Sequence, residues 1–216
     1  MTYLLFRNIM VTNVAHCLLS IERVSIMAPP PKLKRDALLD AAIEIIRESG
    51  SENINARSLA CKLNISTKPI FRLYKNMEEL KVSVYQKAEM IYTESLFAKQ
   101  DAGLSPFLQV GLNYIRFAYN DKNLFKFIFL SNNIEIKSLE SIADMAELPE
   151  VIDYIAANSG LSVSKAKTLF SSMWAMTHGI SCIIATNDYQ MNETELISML
   201  QLANQGILTK LKMGEK

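Results

Sequence analysis

Residues 55–75 read NARSLACKLNISTKPIFRLYK, and the fold turns on this stretch. Asn55 is suited to cap a helix, because its side-chain oxygen can accept from the orphan N–H groups of a first turn. Ala56–Leu63 then supplies about two helical turns, with Leu59, Ala60 and Leu63 on one face. Asn64 follows where a tight turn needs a positive φ, which asparagine tolerates better than most residues. Ile65 plugs that turn into a core. Ser66 can cap a third helix, Thr67–Tyr74, with Pro69 in the first turn, where no intrahelical N–H bond is lost. Two short helices, a tight turn and an inward isoleucine make a helix-turn-helix.

The third helix divides by face. Ile70, Phe71 and Tyr74 form the inward or half-inward set, and Thr67, Lys68, Arg72 and Lys75 the outer one. A short, exposed second helix of such a motif can enter the major groove of DNA. Arg72 and Lys68 can donate to guanine O6/N7 or to phosphates, and Thr67 and Pro69 can touch a thymine methyl. A helical hairpin inside a bundle has the same apolar pattern but gives no reason for so basic a solvent face.

Working outward, Leu38, Leu39, Ala42, Ile43, Ile45 and Ile46 recur at three- and four-residue spacings. They predict a first helix of about four turns that stops at Gly50. Pro29-Pro30-Pro31 precedes it as a stiff arm, with Lys34 and Arg35 placed to reach phosphates or the minor groove. Charge follows the same division. Residues 28–90 hold 11 Lys/Arg against 8 Asp/Glu, and residues 91–216 hold 10 against 13. Between Arg57 and Lys87 only Glu78 and Glu79 oppose 7 basic residues, which suits a nucleic-acid head on a non-binding body.

The run ALLDAAIEIIRESG…INARSLACKLNISTKPIFRLYKNMEELKVSVY resembles the N-terminal domain of the TetR/AcrR family of regulators, over about Arg35 to Tyr85. Asn55, Arg57, Leu59 and Ala60 fill the family's second-helix pattern, and Asn64-Ile65-Ser66 stands for its Gly-Val-Ser. Phe71 and Tyr74 stand for its paired aromatics, and Met77-Glu78-Glu79-Leu80 for its Lys-Glu-Glu-Leu. The resemblance implies a DNA-binding repressor whose contact set is Lys34, Arg35, Asn55, Arg57, Ser66, Thr67, Lys68, Pro69, Phe71, Arg72, Tyr74 and Lys75. Two departures matter. Phe71 replaces a tyrosine whose hydroxyl contacts a phosphate, and Met77 replaces a phosphate-binding lysine. Both remove non-specific anchoring and should flatten the salt dependence of binding.

Beyond the head, a long helix is expected from Glu78 to about Ala98, with Leu80, Val84, Ala88, Ile91, Ser95 and Leu96 inward. Helices follow at Phe107–Tyr119, Lys122–Leu130 capped by Asp121, around Leu139–Glu147, and Pro149–Asn158. Next come a long segment from Ser162 or Ser164, and Glu193 to about Lys212, opened by an Asn192/Glu195 capping box. The last two helices are strongly apolar and either fill a monomer core or form a four-helix dimer seam. The dimer is favoured because one short head binds DNA weakly. Its expected seam is Phe170, Ile180, Ile183, Ile184, Leu196, Leu200, Ala203 and Ile207.

Trp174-Ala175-Met176-Thr177-His178-Gly179 is similar to the Trp-x-x-x-His-Gly signature of one C-terminal subfamily of these regulators. Gly179 inside a helix costs about 1 kcal/mol against alanine, explained by close helix approach or by a pocket opening. A lone histidine on a helix is more often a hydrogen-bonded core residue than a ligand. Regulators of this type enclose an apolar cavity. The resemblance therefore implies a pocket for a small hydrophobic effector, lined by Tyr114, Phe117, Phe125, Met173, Trp174 and His178.

Composition bounds the rest. Half of the 216 residues are apolar, with only 7 Gly and 6 Pro, which argues for an all-α chain and against a sandwich or barrel. Cys17, Cys61 and Cys182 are isolated, and His16 and His178 lie far apart, so neither a zinc site nor a disulfide framework is expected. A reducing cytoplasm suits such cysteines. No nucleophile–base pair, glycine-rich loop or HExxH supports an enzyme, and no cofactor is expected.

Residues 1–27, MTYLLFRNIMVTNVAHCLLSIERVSIM, are apolar but broken by Arg7, Asn8, Asn13 and His16, so they are not a membrane helix. Either translation starts natively at Met27, or the segment is a helix packed on the body. The expected divisions are an extension at 1–32, a DNA-binding head at 33–80 and a body for ligand and dimerisation at 81–216. A helical protein-interaction module without DNA contact is the alternative reading.

Overall fold

The computed structural model describes residues 33–101, 103–131, 142 and 149–213, and among these every regular element is helical. The all-α expectation holds. The expected helix around Leu139–Glu147 and the reading of residues 1–27 lie outside the described residues.

Helix α1 (Arg35–Ser49) buries Leu38, Ala41, Ala42, Ile43, Ile45 and Ile46. It ends at Gly50, whose φ of 91° is left-handed and whose N–H bonds Ile46 O at 2.9 Å. A side chain there would be strained, and a Cβ would also meet the Glu52 carboxylate. Helix α2 (Ala56–Lys62) begins at Asn55 with a reciprocal capping box. The Asn55 oxygen accepts from the N–H groups of Arg57 and Ser58, each at 3.0 Å, and Ser58 Oγ accepts from Asn55 N–H at 3.1 Å.

Asn64 has the expected positive φ, 52°. It closes α2 in a Schellman arrangement, with Ile65 N–H to Ala60 O at 2.9 Å and Asn64 N–H to Cys61 O at 3.1 Å. Ile65 is thereby turned toward the core of the head.

The third helix is shorter than expected. Helix α3 covers Ile70–Leu73 only, and Ser66 does not cap it. Pro69 sits at the N-cap position instead, after a turn in which Ile70 N–H bonds Thr67 O at 3.1 Å. The cause is local. Proline has no N–H and biases the residue before it away from helical backbone, so the regular ladder starts beyond it.

Helix α4 (Met77–Phe97) is capped by Asn76, whose side chain accepts from Glu79 N–H at 2.9 Å. Its buried face is Leu80, Val84, Ala88 and Leu96. The body continues with α5 (Pro106–Asn120), α6 (Lys122–Phe125), α7 (Pro149–Ser159), α8 (Val163–Thr186) and α9 (Glu193–Met213). A wide π-type turn over Lys126–Leu130 follows α6, where a longer regular helix was expected. Asp121 does not cap α6 with its side chain. Its carboxylate accepts from Arg47 Nε at 2.7 Å, which ties α1 to the body.

Helix α5 lies at the centre, packed against α4, α8 and α9. Helix α8 is long and apolar enough to cross a membrane, but α5, α7 and α9 pack on it. One core runs without a break from α1, α2 and α3 through α4 to Tyr114, Phe117 and Phe125 of the body. A second core lies among α5, α7, α8 and α9. The head is thus welded to the body through α4.

Candidate nucleic-acid interface

Asn55 caps α2 and Asn64 turns the chain, and together they place α3 across the outside of the head. Ile70 is its fully buried anchor. Lys34, Arg57, Ser66, Lys68, Phe71, Arg72 and Lys75 are exposed, and Thr67 and Pro69 are half-buried. Phe71 and Arg72 lie within the single turn of α3, and exposed Lys68 and Lys75 lie in the segments just before and just after it.

The electrostatics separate this side from its flanks. Lys62 is held by Glu48 at 2.7 Å and Glu44 at 3.2 Å, and these carboxylates raise its pKa. Lys81 pairs with Glu78 at 3.2 Å, and Lys87 pairs with Asp40. Among the described residues, the side chains of Lys34, Arg57, Lys68, Arg72 and Lys75 have no carboxylate partner. A merely solvated helix face would show mixed pairs throughout. Here the pairs stop at the edge of the α2–α3 surface, and the cations on it are left for an anion.

Three expected contacts are revised. Tyr74 is 3 % exposed and cannot reach DNA. Arg35 does not ride on a mobile arm, because its guanidinium lies over the Tyr74 ring and donates to Leu73 O. Asn55 uses its oxygen in the cap. Phe71, expected in the inward or half-inward set, is 47 % exposed and so remains accessible as a contact, while Ile70 is the buried anchor.

In the body, five of the six expected pocket residues do meet. The Tyr114 hydroxyl lies 2.8 Å from His178 Nδ1, and Trp174 stacks on the His178 ring at 4.6 Å and 7°. Phe125 contacts Tyr114 and His178, and Phe117 contacts Phe125. These rings close on one another and on Phe129, with centroids 4.6–6.5 Å apart, so among the described residues they are packed against each other. Met173 belongs to the second core. Burial raises the Tyr114 pKa and lowers that of His178, so both favour the neutral form.

The expected seam also divides. Ile184, Leu196 and Leu200 are buried inside the chain and cannot face a partner. Phe170, Ile180, Ala203 and Ile207 are half-buried. Ile183 on α8 is 55 % exposed, and on α9 Leu202 is 74 % and Met199 41 % exposed. A Cβ at Gly179 or Gly206 would meet no atom within 4 Å, so the close approach expected at Gly179 is not made within the chain.

One polar cluster escaped the sequence reading. Arg116 donates to both carboxylate oxygens of Glu193 at 2.7 Å and to Asp101 at 2.5 Å. Asn113 donates to Leu96 O at 2.8 Å and Lys99 O at 2.9 Å, closing the C-terminal end of α4. Gln109 joins Asp101 to Asn113. The cluster therefore fastens the end of the head-bearing helix to the start of α9. The available signal was Gln109, Asn113 and Arg116 at i, i+4 and i+7 in an otherwise apolar helix.

No family model matches the sequence, and no curated protein sequence does. Among solved structures, the chain is similar to a TetR-like transcriptional regulator from Rhodococcus sp. RHA1. The TM-score is 0.52 at 14 % identity, covering 88 % of this chain and all of that one. The fold is therefore TetR-like: a helix-turn-helix head on an all-helical body.

Proposed function

We propose that this chain is a homodimeric transcriptional regulator that binds a palindromic operator, represses from it, and is released by a small hydrophobic effector. It acts in the cytoplasm by binding and not by catalysis. The observation that carries the reading is the α2–α3 surface, where Arg57, Lys68, Arg72 and Lys75 are exposed without carboxylate partners. Such a surface supplies the phosphate attraction and guanine-reading donors that duplex recognition needs. The TetR-like fold supports it.

Pairing of two copies is supported by the exposed Ile183, Met199 and Leu202 beside the open glycines 179 and 206. The effector would enter at the Tyr114–His178–Trp174 cluster by parting the stacked rings. The buried Ser181 Oγ, which has no hydrogen-bond partner among the described residues, leaves α8 a donor to offer. The Trp174-x-x-x-His178-Gly179 likeness favours a regulator subfamily with this kind of site.

The test is enrichment of random duplex DNA on the purified full chain, followed by a gel shift over a salt series. A palindromic consensus with salt-sensitive binding supports the proposal, and the absence of any enriched sequence overturns it. A protein-interaction module without DNA contact is the second reading. The exposed Phe71 favours it, and the same experiment separates the two.

A further inference from the structure

Resting on the DNA-binding reading, we propose that Phe71 determines specificity by packing its ring against the 5-methyl group of a thymine in each operator half-site. Phe71 leaves 47 % of its surface open to solvent on the outer part of the helix-turn-helix. Exposed Arg72 follows Phe71 in the one-turn helix, exposed Lys68 and Lys75 lie just before and just after that turn, and the Phe71 ring makes no aromatic contact among the described residues. An occupant of this side must be anionic around its rim and offer an apolar group within reach of one ring.

The major groove of duplex DNA fits both demands. Phosphates flank it, and the thymine methyl is the apolar group on its base edges. The ring carries no hydroxyl, so it adds nothing to phosphate attraction. Its contribution is paid only where a methyl is present, which makes it a sequence reader and not an anchor.

The experiment uses the full chain and the duplex it enriches from a random pool. Each thymine of the consensus is replaced in turn by deoxyuridine, which removes only the methyl group. Affinity is read by fluorescence anisotropy for the wild type, Phe71→Ala and Phe71→Tyr. One thymine per half-site should cost the wild type about four-fold, the worth of burying one methyl. Phe71→Ala should bind the thymine duplex more weakly, lose the uracil penalty and keep the salt slope. Phe71→Tyr should keep the penalty.

The proposal is overturned if every uracil duplex binds as the parent does, or if the penalty persists in Phe71→Ala. Either result leaves salt-sensitive operator binding intact and so spares the functional reading. Failure to enrich any duplex removes both. Unchanged helical circular dichroism in Phe71→Ala, expected for an exposed position, shows that a lost penalty is not unfolding.

Discussion

The Arg35 guanidinium lies 4.9 Å from the centre of the Tyr74 ring, and its Nη2 donates to Leu73 O at 2.9 Å. The first residue of α1 thus clasps the last turn of α3. Helix α3 is a single turn and cannot hold its own orientation, so this clasp and the buried Ile70 fix which side it shows. Arg35 is a positioning residue here. Arg35→Ala should cost about 1 kcal/mol of stability, from one cation–π contact and one hydrogen bond at an exposed site. It should weaken operator binding while leaving the salt slope unchanged, as read by urea melts and a salt-series gel shift.

Arg72 and Arg57 should behave in the opposite way. Both are exposed, and neither side chain has a carboxylate partner among the described residues. Alanine at either position should leave the melting temperature nearly unchanged. Affinity should fall about ten-fold, with the slope of log K against log salt reduced by about one wherever the lost contact is to a phosphate. A residue that reads a base instead relaxes sequence preference at one position. Unchanged binding in both variants would remove the α2–α3 surface from the interface.

The Arg116 cluster predicts an acid-dependent weakness. Hydrogen bonding from Arg116 holds the carboxyls of Asp101 and Glu193 below their usual range. Groups with depressed folded pKa values contribute stability above their unfolded pKa values, and that stability is lost as pH falls through the folded ones. The wild type should therefore weaken as pH drops below about the ordinary 4.5 of Glu193 and 3.8 of Asp101. Arg116→Met should cost about 2 kcal/mol at neutral pH, because its side chain is only 9 % exposed and its carboxylate partners lose charge-assisted bonds. The gap between variant and wild type should narrow in acid, as measured by denaturant melts across that range.

The proposed seam can be tested by contrast. Leu202 is 74 % exposed and Ile183 55 %, whereas Leu200 is fully buried. Leu202→Glu or Ile183→Asp should leave a folded monomer by sedimentation and reduce operator affinity at least about a hundred-fold, through loss of the second head. Leu200→Ala should act on the fold itself, costing about 3 kcal/mol through the cavity it leaves. If Leu202→Glu stays dimeric, the seam lies elsewhere.

Much of the head could be read directly because its signals are local. Asn55 as a cap and Asn64 at a positive φ each depend on a few neighbouring residues, and both occur where the sequence places them. The run of α3 was overestimated because Pro69 acts on backbone that no side-chain period reveals. The exposure of Phe71 was hidden for a related reason. Apolar residues at 70, 71 and 74 read as an inward or half-inward set, yet only Ile70 and Tyr74 are buried.

By itself, then, the sequence determined an all-helical chain, the helix-turn-helix and the sign of charge on its outer side, because helical period, caps and turns are decided over a few residues. Only the tertiary structure decided which basic residues are paired, since Lys62 meets Glu44 and Glu48 of another helix while Arg57 meets no carboxylate among the described residues. It alone closed the aromatic rings around His178, and it alone split one apolar run on α8 and α9 into buried Ile184 and Leu200 and exposed Ile183 and Leu202. Apolar periodicity marks which residues leave water. Whether a given face leaves it against its own chain or awaits another copy depends on helix positions that short-range pattern does not encode.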